Sequence, residues 1–287
     1  MTGDVTVVVA TRNRRHELMD TLARHDAPVV VVDNGSSDGT PEAVASRPGV
    51  RLVALHRNVG AYARTIGARV ATTPYVAFAD DDSWWAPGAL ERAAAVMRDY
   101  PRLALLAGQM RVLPRDELDP VCRLMAESPL PVAADLPGTP VLGFMACGAV
   151  VHRGIFLAVG GFDDVIRFPG EEERVALDLA SHGFDLAYVP EVVAYHRPSP
   201  RRDDPDSRMA GVVRSRLLTA CLRRPWPVVA AAVGDSVGSG RPGLRGNLAA
   251  LPAVPAALRR RAVVPDAVEA AARLTAESAA HRRVSRV

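Results

Sequence analysis

The sequence predicts an α/β fold built on a parallel sheet with helices on both faces. Four short apolar runs, Val5–Ala10, Pro28–Asp33, Arg51–His56 and Tyr75–Ala79, alternate with segments of helical spacing. The runs are continuous, as in Val29–Val32, which is the pattern of strands buried on both sides. Polar or glycine-containing turns close each of them.

Taken in order, the first run leads through Thr11-Arg12-Asn13 into Arg14–His25, where Leu18 and Leu22 have helical spacing. The second ends in Asp33-Asn34-Gly35 and is followed by a short helix over Thr40–Ser46. The third precedes a helix over Ala61–Ala71, and the fourth ends directly in Asp80-Asp81-Asp82. Residues 113–142 are Pro-rich and weakly periodic, which predicts a long loop or short helix over the mouth of a crevice. Cys147–His152 reads as a strand, Arg153–Val159 as a short helix, and Gly160-Gly161-Phe162-Asp163 as a turn. Glu172–His182 reads as a helix closed by Gly183. Leu186–Val189 and Val192–His196 read as a pair of strands separated by Pro190-Glu191. From about Met209 the chain turns helical, with breaks expected at Pro225-Trp226-Pro227 and in the Gly-rich stretch 234–246, and with fraying beyond Ser278.

Composition narrows the class. The chain has 287 residues, 48% hydrophobic and 23% charged, as in ordinary globular proteins. No apolar run approaches the roughly 18 residues that span a bilayer, and Val5–Ala10 is short for a signal segment, so a cytoplasmic protein is expected. Cys122, Cys147 and Cys221 are scattered and read as small apolar residues. The net charge of +3 hides an asymmetry: residues 1–196 hold 18 arginines against 25 acids, whereas residues 197–287 hold 17 against 7. The basic region is read either as solvated helix faces or as attraction to phosphates of anionic lipids or of a lipid-linked acceptor. Nucleic acid is not expected as a partner, since no interleaved aromatics or recognised binding module accompany the arginines.

Ligands of open α/β sheets bind at the carboxyl ends of the strands, where Thr11–Asn13, Asp33–Gly35 and Asp80–Asp82 converge. Three carboxylates at a strand end repel one another, and such oxygen donors suit Mg2+ or Mn2+ bridging phosphates. A solvated acidic turn is the plainer reading of the triplet alone. Asp33 is suited to accept hydrogen bonds from a base or ribose, while Ser37 or Asp38 can cap the following helix.

Together these segments resemble the inverting GT-A glycosyltransferases of family 2, over about residues 4–197. The resemblance rests on Val7–Arg14, Val31–Thr40, Arg57–Arg64, Phe78–Asp82, Gly160–Asp164 and Gly170–Glu172, in that order. Thr65 stands where the family usually has Asn, and Glu171-Glu172 where it has Glu-Asp; Glu173 and Arg174 replace an apolar and an acidic position.

The resemblance implies a Rossmann-like nucleotide-binding half, 1–112, fused to an acceptor-binding half, 113–205, with a basic helical region over 206–287. It implies a UDP-, dTDP- or GDP-sugar donor held by Thr11, Asn13, Asp33, Asn58, Gly60, Arg64, Asp80 and Asp81. Asp82 becomes the direct ligand of Mn2+ or Mg2+, with Asp80 and His196 beside it. Glu172 is the expected general base and Glu171 its alternative, with a hydroxyl-bearing acceptor. Arg64 is expected to help stabilise the leaving group. Trp84 and Trp85 either fill the core or stack on a sugar. Two rivals were weighed: a sugar-phosphate nucleotidyltransferase, whose Gly-rich basic loop is missing after the first strand, and a non-catalytic scaffold. In the basic region Arg208, Arg214, Arg216, Arg223 and Arg224 flank Leu217, Leu218 and Leu222 at amphipathic spacing. That segment is expected to hold the acceptor, to touch the inner face of the membrane, to pair subunits into a homodimer, or simply to pack on the core.

Overall fold

The computed structural model of the chain describes residues 3–199 and 204–284. The strands are β1 Val5–Thr11, β2 Val29–Asp33, β3 Val50–Ala54, β4 Tyr75–Ala79, β5 Ser83–Trp85, β6 Leu103–Val112, β7 Glu117–Leu118, β8 Thr139–Pro140, β9 Ala149–His152 and β10 Asp185–His196. Helices α1 Arg15–Leu22, α2 Thr40–Ala45, α3 Tyr62–Val70 and α4 Ala89–Asp99 lie in the first half. They are followed by α5 Pro120–Ala126, α6 Arg153–Ala158 and α7 Glu172–Ser181. The C-terminal helices are α8 Pro205–Arg223, α9 Trp226–Gly238, α10 Gly240–Ala250, α11 Val254–Arg259 and α12 Asp266–Val284.

One sheet runs through the molecule in the order β3-β2-β1-β4-β9-β6-β10-β5, with β7 on β6 and β8 on β10. The four strands read from the sequence, β3-β2-β1-β4, are parallel, and β1, β2 and β4 are buried along almost their whole length. Each fully buried valine there contributes ~1.5–3 kcal/mol relative to exposure. Beyond β4 the sheet becomes mixed, which corrects the expectation of a parallel sheet. β9 is antiparallel to both β4 and β6, and β5 is antiparallel to β10. These antiparallel pairs join strands far apart in the chain, such as Tyr75 with His152 and Ser83 with His196, so no local signal announces them.

Two other expectations need correction. The pair of strands read at 186–196 is one strand, β10, whose register on β6 shifts between Val189 and Val193. Pro190 and Glu191 occupy that bulge, where a missing N–H is tolerated. The Gly-rich stretch 234–246 does break the helical region, at the turn around Ser239 between α9 and α10, as read from the sequence. A Cβ at Gly243 would meet the Ser236 carbonyl oxygen at 1.7 Å, and one at Gly246 the Ala210 carbonyl oxygen at 2.6 Å. Those glycines let helices approach closely. Beyond Ser278 the chain stays helical to Val284, and 285–287 of the expected frayed tail lie outside the described residues.

A second, smaller core joins the helical region to the sheet domain. Leu217, Leu218, Cys221 and Leu222 of α8 pack with Val165, Ile166, Ala250 and Ala257. The apolar face of α8 is thus turned inward, and several of its arginines are engaged. Arg214 donates to the Val165 carbonyl at 2.9 Å, Arg223 pairs with Asp178, and Arg224 bridges Glu173 and Glu269. Of the readings open for this helix, packing on the core is the one its apolar face takes.

Candidate functional site

Strand ends β1, β2 and β4 are neighbours in the sheet, so the polar residues that follow them meet at one edge. Asp33 pairs with Thr11 across the β1–β2 ladder and is 1% exposed. Its Oδ2 accepts the Ser36 N–H at 3.0 Å, while its Oδ1 is buried without a partner. A buried carboxylate oxygen left unmatched is costly.

The loops around it are tied to one another. Asn34 Oδ1 accepts the Val59 N–H at 2.8 Å and its Nδ2 donates to the Gly60 carbonyl at 3.0 Å. Asn58 Oδ1 accepts the Gly60 N–H at 2.8 Å. Asn13, at φ 54, accepts the Ser37 N–H at 2.8 Å and donates its own N–H to Ser36 Oγ at 2.9 Å. Gly35 has φ +75, and a Cβ there would stand 3.1 Å from the Arg57 backbone, so only glycine fits the turn. Asp38 holds the start of α2, accepting from Thr40 N–H at 3.1 Å and its hydroxyl at 2.5 Å.

The three aspartates after β4 have three different surroundings. Asp80, its side chain 31% exposed, accepts from Arg64 Nη2 at 2.6 Å. Asp81 faces inward: Thr11 Oγ1 donates to its Oδ2 at 2.9 Å and Arg14 Nε to its Oδ1 at 3.2 Å. Burial pushes the Asp81 carboxyl up to about 7, against the pull of Arg14. Asp82 contacts His196 Nε2 at 3.2 Å, Arg14 Nη2 at 3.1 Å and the Ser199 N–H at 3.3 Å. Burial opposes ionisation of Asp82, but the His196 hydrogen bond and charge, with Ser199 and Arg14, hold its carboxyl below the usual value. His196 reaches Asp82 because β10 pairs with β5 in the register His196↔Ser83.

Among the described residues no three His, Cys, Asp or Glu side chains form a ready metal cage. The donor chemistry of Asp82 and His196 nevertheless fits Mn2+ or Mg2+, which take few protein ligands and fill the remaining positions with phosphate oxygens and water.

Arg64 connects this edge to the acceptor side. It is 5% exposed, and its Nη1 donates to Glu171 Oε1 at 2.9 Å while Nη2 holds Asp80. Its guanidinium lies 5.7 Å from the Phe162 ring centroid. Glu171 is 2% exposed and its Oε2 has no hydrogen-bond partner. Glu172, first residue of α7, keeps part of its surface open although protein surrounds its carboxyl, and it accepts the Ala146 N–H at 3.4 Å. Burial, then the neighbouring Glu171 charge, raise the Glu172 carboxyl to about 8.

The departures seen in the sequence have local partners. Thr65 Oγ1 donates to the Phe162 carbonyl at 2.8 Å, tying α3 to the Gly160–Phe162 turn. Arg174 is buried among Asp163, Asp178 and the Gly161 carbonyl, and Glu173 meets Arg224 at 3.2 Å. Trp84 and Trp85 are 7% and 2% exposed and serve the core; Trp84 lies between Arg24 and Arg197 at 4.5 and 5.4 Å.

Sequence reasoning missed Arg14 as the partner of two aspartates, although it follows β1 by only three residues. It also missed Cys147, whose thiol lies near Asp80, Arg64 and Glu172 and is pushed up by burial. Ser199 was missed too, and no signal in the chain pointed to it.

The profile of glycosyl transferase family 2 matches residues 6–159. The chain belongs to that family. It is a glycosyltransferase, and both curated relatives bear that activity in their names. The N-acetylglucosaminyl-diphospho-decaprenol L-rhamnosyltransferase of Mycobacterium tuberculosis is 28% identical, over 63% of this chain and 70% of its own. The pre-mycofactocin glycosyltransferase of the same organism is 30% identical over 67% of this chain, a match that covers 42% of the relative. Among solved structures, the mannosyltransferase PcManGT of Pyrobaculum calidifontis, in complex with GDP-Man and Mn2+, superposes with a TM-score of 0.58 at 24% identity. That match covers 95% of this chain and 84% of the other. S. aureus TarS 1–349 in complex with UDP-GlcNAc gives 0.58 at 17% identity, covering 93% and 83%. The sheet and the helices around it therefore have the GT-A fold.

Proposed function

We propose that this family 2 glycosyltransferase is metal-dependent and inverting, and moves a sugar from a nucleotide-diphosphate sugar onto an acceptor hydroxyl. The observation that carries the reading is the orphaned, buried Asp33 Oδ1 at the end of β2, two strands from the Asp80–Asp82 turn. That spacing suits a base at one end and a diphosphate at the other. Asp33 accepts from the base, the Asn13, Asn58 and Gly60 loops shape the pocket, and Asp80 takes the ribose. Thr11 and Asp81 act from behind by fixing the turn.

Asp82 and His196 would hold Mn2+ or Mg2+, which would neutralise charge on the departing diphosphate. On the other face Glu172 takes the proton of the acceptor hydroxyl as its oxygen attacks the anomeric carbon. The carbon–oxygen bond to the diphosphate breaks and its electron pair leaves with the phosphate, so the anomeric centre inverts. Glu172 is favoured over Glu171 because Arg64 already occupies the Glu171 carboxylate. A carboxyl raised to about 8 is a strong enough base for a hydroxyl, and the N-terminus of α7 steadies its charge. Arg64 in this scheme is a positioning residue that keeps Asp80 and Glu171 at a fixed separation.

The division into 1–205 and 206–287 is retained as catalytic domain and helical appendage. The rhamnosyltransferase relative acts on a decaprenol-linked acceptor by its name, and a lipid-linked acceptor is the class we carry over. With such an acceptor, work in the cytoplasm at the inner face of the membrane is the location we propose. The test is binding and slow hydrolysis of UDP-, dTDP- and GDP-sugars, with and without Mn2+ or Mg2+, on the native protein and on Asp82→Ala. Metal-dependent binding of one nucleotide class, lost in Asp82→Ala, is the expected outcome. Binding that ignores both metal and Asp82 refutes the metal assignment.

A further inference from the structure

We propose that the outer face of α9 and α10 is a docking surface for an anionic lipid bilayer. Three residues of α9, Trp226, Val233 and Val237, are 58%, 40% and 62% exposed. Their spacings of seven and four place them on one stripe. On α10, Leu244, Leu248 and Leu251, the last just past its end, are 55%, 58% and 59% exposed at spacings of four and three. The opposite faces are already used. Ala232 and Ser236 of α9 are buried, as are Gly243, Gly246 and Ala250 of α10, which approach α9 and α8 closely. Two adjacent helices therefore each leave an apolar stripe exposed, with the Arg261 guanidinium over the Trp226 ring at 4.1 Å. Exposed apolar surface of this extent marks an interaction site.

Charge selects the occupant. Between Trp226 and Leu251 the charged residues are Asp235, Arg241 and Arg245. Asp235 lies 3.8 Å from Arg216, whereas Arg241 and Arg245 are exposed with no ion pair among the described residues. Arg259, also exposed, ends α11 nearby in sequence. A second copy on this face would bring arginines against arginines with little acid to balance them. An anionic bilayer supplies phosphates to the arginines and hydrocarbon to Trp226, Val237, Leu244 and Leu248. No helix among the described residues is long and apolar enough to cross a membrane, so these helices would lie in the interface. The sequence left membrane contact as one of several uses of the basic region as a whole; the inference names α9 and α10 as the elements that make it. It does not depend on the donor chemistry, though its use in meeting a lipid-linked acceptor rests on the reading above. Through α8 the docked helices are continuous with Val165 and Ile166, which lead to Glu171 and Glu172.

The experiment is co-sedimentation of the full chain with phosphatidylcholine vesicles, with and without phosphatidylglycerol. The native protein should sediment with the anionic vesicles and be released by salt. Arg241→Gln with Arg245→Gln should weaken this by roughly 30-fold, from about 1 kcal/mol per arginine. Val237→Glu with Leu248→Glu should abolish it. All four positions are exposed, and circular dichroism melts verify that each variant folds. Nucleotide binding without vesicles is measured on the same variants and should be unchanged, so failure of docking is read separately from failure of the donor site. Absence of sedimentation with anionic vesicles overturns the proposal, as does binding that the glutamate pair leaves intact. A concentration-dependent dimer that the glutamate pair abolishes, without vesicle binding, assigns the face to a second copy instead.

Discussion

Arg64 is shared between the carboxylates of Asp80 and Glu171, and a double-mutant cycle measures what that sharing is worth. Arg64→Met leaves Glu171, whose side chain is 1% exposed, without its counter-charge. Breaking a buried pair in this way costs ~3–5 kcal/mol. Asp80 contributes little to the penalty, because at 31% exposure it can rehydrate. Glu171→Gln alone keeps an acceptor for Arg64 Nη1 and leaves Asp80 to balance the cation, so it should cost ~1–2 kcal/mol. The double variant buries no unpaired charge there, and its loss should fall short of the sum by at least ~2 kcal/mol. Urea unfolding followed by tryptophan fluorescence and circular dichroism, with equal m-values, gives the four free energies. The Arg64→Met penalty should also shrink in mild acid, since burial already raises the Glu171 carboxyl and protonation removes the unpaired charge. Single-variant losses that add to within ~0.5 kcal/mol would refute the coupling.

Glu172→Gln should lower kcat by about 100-fold or more while leaving nucleotide affinity intact. Because the folded-state carboxyl is raised to about 8, its ionisation removes stability as pH climbs from about 4.5 through about 8. The Gln variant should therefore melt above the native protein in alkali and with it in acid; a lower melting temperature in alkali would contradict the raised value. Glu171→Gln removes the neighbouring charge, and the acid limb of the kcat–pH profile should move to lower pH. Asp82→Ala should weaken metal-dependent nucleotide binding at least ~10-fold, with calorimetry in the presence and absence of Mn2+ as the check. In the appendage, Gly243→Ala drives a Cβ to 1.7 Å from the Ser236 carbonyl and should cost ~1–3 kcal/mol or more. Gly234→Ala, in the same hairpin with nothing within 4 Å, should stabilise by ~0.5–1 kcal/mol. Thermal melts that rank the two the other way would undo the account of the close helix crossing.

The half of the fold that is legible in the sequence is the half made by local pattern. The runs that became β1, β2 and β4 are mostly Val and Ala, with Tyr75 and Phe78 in β4, because both faces are covered, and their ends carry Thr11, Asp33 and Asp80. The mixed half was hidden for the opposite reason. β5 is only three residues long, and its direction is set by pairing with a strand more than a hundred residues later. The bulge in β10 looks in sequence like a turn between two strands, since Pro190-Glu191 is the same signal in either case. In the site, residue types pointed to Asp33, Asp82 and Glu172, yet nothing local told Asp81 from its neighbours. Only the tertiary contacts of Thr11 and Arg14 turn it inward. The use of the α8 stripe stayed open between core and partner because helical spacing reveals that a stripe exists without saying which way it points.

β10 carries His196 at one end and, eleven residues back, begins with Asp185 beside Arg102. His196 meets Asp82 by ladder registry with β5 and β6, and the backbone bond from Arg197 N–H to the Asp82 carbonyl, 2.8 Å, fixes the last rung. Successive residues of a strand point to opposite sides, so a slip of one rung would carry the imidazole to the wrong side altogether. The distance between these two side chains is therefore quantised. The Leu113 N–H donates to the His196 carbonyl at 2.8 Å and so helps set that rung, which leaves the stretch between β7 and β8 as the part that can change to suit a different acceptor while the pair stays put.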